Sequence, residues 1–139
     1  MIILDTNVLS ETLRPAPDAK VLAWLEGRPR ISLFTTAITR AELLYGVRLL
    51  PESQRKTRLL DAVFRIFDVD MEGQVLGFDG EAADAYSEIA ATRKAAGIPI
   101  SQFDAMIAAI TRSRGARLAT RNVKDFVGCD IELIDPWSD

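Results

Sequence analysis

A chain of 139 residues, 48% apolar and 27% charged, has the balance of one globular domain that buries its core without disulfides or structural metal. It has no histidine and a lone cysteine, Cys129, which excludes Ser/His/Asp and Cys/His nucleophiles, His-driven ribonuclease chemistry and zinc held by His or Cys. The net charge of −3, taken alone, argues against nucleic acid, so any anionic substrate has to be met by local rather than global charge.

Ile2–Leu4 is a short apolar run ended by Asp5-Thr6-Asn7, polar residues with cap character, and reads as a strand entering a helix that Pro15 and Pro17 stop. Val21, Leu22, Trp24 and Leu25 give a short amphipathic helix ending at Gly27. Ile31–Phe34 reads as a second strand, and Thr39-x-x-Glu42 has capping-box spacing at the start of a helix that runs toward Pro51. Leu59, Leu60, Val63, Phe64 and Phe67 form a further helical stripe, and Val75–Phe78 is a candidate third strand. Ala82 to Ala95 reads as a long helix closed by Gly97. Ser101-x-x-Asp104 repeats the capping spacing, with Phe103, Met106, Ile107 and Ile110 on one face and Gly115 at the end. Arg117–Ala119 predicts a strand leading into Thr120-Arg121-Asn122, and Ile131–Ile134 the last one.

Strands alternating with helices predict a three-layer α/β domain, one mainly parallel sheet flanked by helices with right-handed crossovers, over residues 1–139. No apolar run approaches bilayer length, and MIILDTN lacks the basic start of a signal peptide, so a cytoplasmic protein without membrane contact is expected.

In such a sheet, ligands bind beyond the carboxyl ends of the strands. Asp5 and Asn122 follow predicted strands, Asp125 lies one turn on, and Glu42 and Asp104 fall in predicted first helical turns. Carboxylates gathered in a small volume repel one another and call for a cation, and without His or Cys they suit hard ions such as Mg²⁺ or Mn²⁺. Each acid also has a plain reading: Glu42 and Asp104 as helix caps, Thr6 and Asn7 as caps, with Thr6 also able to orient Asp5. Basic residues cluster at Arg112, Arg114, Arg117, Arg121 and Lys124, and again at Arg55, Lys56 and Arg58.

Four segments, MIILDTNVLSE, TTAITRAELLYGV around Glu42, FDAMIAA from Phe103 and LATRNVKDF, occur in the order and at the separations of the PIN-domain family. Together they resemble its VapC-type toxins, the FitB-like branch above all, over essentially the whole chain. The resemblance implies a PIN fold, a homodimer or larger assembly, Mg²⁺- or Mn²⁺-dependent endoribonuclease activity on RNA, and a cognate antitoxin that blocks the site. It places the family's acids on Asp5, Glu42 and Asp104, with Asn122 in the fourth position where many relatives carry an acid; Asp125 is the alternative there.

On that likeness Asp5 and Asp104 are expected as primary metal ligands, Glu42 as the residue that holds or deprotonates water, and Thr6, Asn7 and Thr120 as supports. Arg112, Arg114, Arg121 and Lys124 are the expected phosphate contacts. Two other readings remain open. One is a Mg²⁺-binding module, either a receiver, which places a phosphorylatable Asp after its third strand and a Lys after its fifth, or an aspartyl-phosphate phosphatase, which needs a second acid where Asn7 stands. The other is a silent protein-interaction domain whose partner face includes Trp24, Leu25, Leu44 and Tyr45.

Overall fold

The computed structural model describes residues 1–138, so the last residue of the domain expected over 1–139 lies outside the description. Five strands, β1 (Ile2–Leu4), β2 (Leu33–Thr36), β3 (Val75–Leu76), β4 (Arg117–Ala119) and β5 (Glu132–Ile134), pair in the order β3-β2-β1-β4-β5. All four pairings are parallel. Strand order reverses at β1, with β2 and β3 on one side and β4 and β5 on the other. A crevice therefore opens beyond the carboxyl ends of β1 and β4, where ligands of open α/β sheets bind.

The central strand is buried on both faces, as a continuous apolar run in a parallel sheet should be. Ile2 and Leu4 join a core shared with α1 (Thr6–Thr12), α2 (Ala19–Glu26), α3 (Ala37–Arg48) and α4 (Gln54–Arg65). Ile3 turns to the opposite core, formed with α5 (Gly80–Ala95) and α6 (Gln102–Ser113). The three-layer α/β arrangement is thus the one the alternation of elements predicts. Among the described residues, no helix is long and apolar enough to cross a membrane.

Several local expectations are corrected. The second strand starts later than Ile31–Phe34: Arg30–Ser32 is a 3₁₀ turn, closed by the Ser32 hydroxyl on the Pro29 carbonyl at 2.6 Å, and Ile31 is 82% exposed. Threonines 35 and 36 belong to the strand, where the Thr35 hydroxyl donates to the Leu4 carbonyl at 3.0 Å. Thr36 therefore caps α3, its hydroxyl accepting the Thr39 N–H at 3.1 Å. Thr39 is not the cap, and Glu42 stands in the second turn rather than the first.

The third strand keeps only Val75–Leu76 of Val75–Phe78. The helix expected from Ala82 begins at Gly80, capped by Asp79, whose carboxylate accepts the Ala82 N–H at 2.9 Å. The stripe ending in Phe67 spans α4 and a π-helical segment, Ile66–Asp70, that keeps Phe67 buried. A short 3₁₀ helix, Val123–Phe126, joins β4 to β5.

On α6 the Ser101 cap is as expected, its hydroxyl accepting the Asp104 N–H at 3.2 Å. Phe103, expected on the core stripe, is 45% exposed, while Ala105 and Ile107–Ile110 face the core. Of the proposed partner face, Trp24 is core, Leu25 and Leu44 pack partly against it, and Tyr45 alone stays well exposed at 64%.

Candidate active site

Asp5 ends β1 and caps α1, and it is nearly closed off at 4% exposure. One carboxylate oxygen accepts the Thr6 N–H at 2.8 Å. The other accepts the hydroxyl of Thr120, just beyond β4, at 2.8 Å, with the Asn7 amide at 3.5 Å. Thr120 in turn accepts the Asn122 N–H at 3.1 Å, and the Asn7 side-chain oxygen accepts the Arg121 N–H at 3.2 Å. Parallel pairing of Leu4 with Ala119 brings these two strand ends together. Asn7 is thus a cross-link between the ends of β1 and β4, not a helix cap.

Thr6 serves two acids in different ways. Its N–H holds Asp5, while its hydroxyl donates to Glu42 Oε1 at 2.8 Å, so the side chain orients Glu42 rather than Asp5. The Thr39 hydroxyl lies 3.2 Å from that of Thr6, which explains why Thr39 is buried although it caps nothing.

Asp5, Glu42, Asp104 and Asn122 line one hollow of about 320 Å³ together with Thr6, Asn7 and Ser10. Asp125 lines an adjoining hollow of about 210 Å³ that shares Asp104 with the first and includes Ser101 and Arg93. The position beside the three acids therefore belongs to Asn122, with Asp125 flanking Asp104 from the next hollow. Ser10 was absent from the sequence reading; its signal is the four-residue spacing from Thr6, which puts both on one side of α1.

The carboxyl groups sense one another. Burial, and then the charges of Asp104 and Glu42, push Asp5 up to about 6 against the hydrogen bonds from Thr120 and Thr6. Burial raises Glu42 above the usual carboxylate range, and the charge of Asp104 adds to it. Asp104 is raised by burial and then by Asp125, with Arg93 opposing.

Among the described residues, no three acidic or cysteine side chains are already gathered at ligand spacing. The lining is nonetheless an all-oxygen set whose members destabilise each other's ionised forms. That donor chemistry fits a hard divalent ion, which would relieve the repulsion.

The expected phosphate contacts are not drawn into the hollow. Arg112 is paired with Glu88 at 2.8 Å, Arg114 lies 3.9 Å from Asp79, Arg121 stacks over Trp137 at 5.0 Å, and Lys124 is exposed on the 3₁₀ helix. On the Glu42 side stand Arg14, whose guanidinium is 3.3 Å from the Glu11 carboxylate, and Arg55. They edge a groove of about 460 Å³ that shares Thr6, Ser10 and Glu42 with the hollow. Arg55 belongs to the second basic group of the sequence, whereas nothing local marks Arg14.

Residues 2–127 match the model of the PIN domain. Over 143 aligned residues the chain is 37% identical to the toxin FitB of Neisseria gonorrhoeae, covering 100% of both chains. It is 36% identical to the VapC ribonuclease Y4jK of Sinorhizobium fredii, covering 99% of this chain and 98% of the relative. The crystal structure of FitAcB from Neisseria gonorrhoeae superposes with a TM-score of 0.88 at 36% identity, covering 99% of each chain. With the acids at the switch point of the sheet and matches of this extent, the chain belongs to the PIN-domain family.

Proposed function

We propose that this protein is a Mg²⁺-dependent endoribonuclease, with Mn²⁺ as an alternative ion, that serves as the toxin of a toxin–antitoxin pair and works as a homodimer. One observation carries the reading: Asp5, Glu42, Asp104 and Asn122, spread over the chain, line a single hollow at the carboxyl ends of the central strands. The names of the FitB and VapC relatives supply the substrate class and the toxin role.

Asp5, Glu42 and Asp104 are the residues that would hold the ion. Bound there, Mg²⁺ would offset charge on a phosphodiester and lower the pKa of a water. Within the protein, Thr120 and the Thr6 N–H fix both oxygens of Asp5, so its direction is set before any ligand arrives. Thr6 engages one oxygen of Glu42 and leaves the other to accept a proton from an attacking water. Direct attack of water on phosphorus leaves a 5′-phosphate and a 3′-hydroxyl. A phosphatase reading needs an acid two residues beyond Asp5; Asn7 stands there, with its side chain committed to Thr120 and to the Arg121 N–H.

The groove edged by Arg14 and Arg55 and floored by Leu13, Leu43, Val47 and Leu50 opens onto Glu42. It suits an inserted antitoxin segment with apolar side chains and acids that meet the two arginines.

The deciding experiment is RNA cleavage in Mg²⁺, with EDTA added, and with Asp5→Ala protein. Cleavage is expected in the first case alone. Cleavage that persists in EDTA, or in the Asp5→Ala protein, overturns the proposal.

Asn122 leaves the hollow one negative charge short of relatives that carry an acid there. Asn122→Asp should strengthen Mg²⁺ binding about tenfold, because affinity follows the number of charged ligands. Calorimetric titration checks this, and an unchanged affinity shows that position 122 does not face the ion.

A further inference from the structure

We propose that Arg93 is a positioning residue for the acidic site: its buried guanidinium ties together the two loops that flank Asp104. This rests on the nuclease reading given above. Arg93 lies on α5, 7% exposed, and reaches across to both loops. Its Nε donates to the Ile98 carbonyl at 2.7 Å, on the segment that leads to Ser101 and the start of α6. Its Nη1 donates to the carbonyls of Asp125 at 2.8 Å and Val127 at 2.9 Å, on the segment that follows Asn122, and lies 3.7 Å from the Cys129 thiol.

A buried cation is costly unless its donors are satisfied. Among the described residues Arg93 has no carboxylate at ion-pair distance, so carbonyls satisfy it instead. A contact made only for stability needs no charge here; the apolar neighbours of α5 and α6 already pack. What a planar fork adds is the fixed separation of two backbones that approach from different directions, which an ammonium on a flexible stem does not supply.

The two backbones are those that set Asp104 against Asn122 and Asp125. Arg93 also lines the hollow that holds Asp104 and Asp125, so its charge sits behind the acids without entering the hollow shared with Asp5. Gly128, with φ of +81°, lets the loop turn beside the Arg93 stem. Nothing in the sequence separates Arg93 from the other charges on α5.

Arg93→Lys keeps the charge and loses the fork, whereas Arg93→Met keeps the stem and loses both. Mg²⁺ binding to the purified full chain, measured by isothermal titration, is expected to weaken about ten- to a hundredfold in each, as for other groups that orient metal ligands. The kcat for a single-stranded RNA should fall with it, while KM stays within about twofold because a buried side chain does not meet the polymer. Amide hydrogen exchange over residues 120–129 should quicken.

Wild-type Mg²⁺ affinity and kcat in folded Arg93→Lys overturn the proposal. A lower thermal midpoint with unchanged Mg²⁺ affinity does so too, since that marks a staple for stability alone. Where Arg93→Met fails to fold, Arg93→Lys decides. A wild-type protein that neither binds Mg²⁺ nor cleaves RNA refutes the nuclease reading instead. Exchange over residues 120–129 in Arg93→Lys then tests the tie by itself, and unchanged protection removes it.

Discussion

Asp104→Asn protein is expected to keep its fold and lose RNA cleavage by about a thousandfold, the scale set by removing a group that acts on charge developing at the reacting centre. The fold survives because Asp104 serves α6 through its main chain: its N–H is taken by the Ser101 hydroxyl, and the core residues of the helix follow it. Asparagine preserves that cap and most of the shape. It gives up the favourable interaction of a carboxylate with the helix start, worth about 0.3–1 kcal/mol, and in return lessens repulsion with Asp125, Glu42 and Asp5. A thermal midpoint within a few degrees of wild type, with cleavage gone, is the expected pair of results. Cleavage at a wild-type rate would overturn the assignment of Asp104.

The second large effect concerns stability rather than rate. Asp5 is raised from 3.8 to about 6 in the folded protein, mainly by burial. A group that binds its proton more tightly when folded stabilises the fold most fully below the unfolded pKa. That stabilisation is lost as pH rises through the folded value. By pH 7.5 the metal-free protein carries an ionised, buried Asp5 at a cost on the order of 3 kcal/mol relative to acid conditions. The raised pKa values of Glu42 and Asp104 act in the same direction.

Replacing Asp5 by Asn removes this component. About 1.4 kcal/mol of that cost accrues between pH 5 and pH 7.5, so the difference in thermal midpoint between Asp5→Asn and wild type, both metal-free, should grow by about 3–6 °C over that range, at roughly 2–4 °C per kcal/mol. Mg²⁺ should work in the opposite sense, since ligands must be deprotonated to bind it. At a hundred times its Kd it should stabilise the wild type by about 2.7 kcal/mol at pH 7.5 and distinctly less at pH 5. Thermal melts of both proteins at the two pH values, with and without Mg²⁺, measure all of this. Parallel pH curves for wild type and Asp5→Asn would show that Asp5 is not the strained group.

Stability and activity are then opposed at one residue. The structure places an acid where it is poorly tolerated, and the hydrogen bonds from Thr120 and Thr6 only partly offset its burial. On the proposed function, a site that is costly when empty and relieved by a bound ion would be the thermodynamic counterpart of a centre preorganised for a cation.

Features of short range were legible in the amino-acid sequence itself. The apolar run Ile2–Leu4 followed by Asp5, the Ser101 cap on α6, and the glycines with positive φ that end α5 and α6 at positions 97 and 115 are all local patterns. Alternating strand and helix signals were enough to reach a parallel α/β sheet, and the lack of histidine to reach oxygen chemistry.

Tertiary structure decided whatever depends on partners far along the chain. The strand at β2 extends through Thr36 because Thr35 and Thr36 pair with Val75 and Leu76, which overrides the capping spacing of Thr39 and Glu42 and moves Glu42 into the second turn. Thr120 reaches Asp5 across 115 positions, Thr6 reaches Glu42 across 36, and Arg93 reaches the loop beyond Asn122. Periodicity and caps are written into neighbouring residues, so a reader of the sequence can see them. Which side chain holds a given acid is settled only once strand register has brought the chain ends together, because a hydrogen bond of 3 Å carries no trace in local composition.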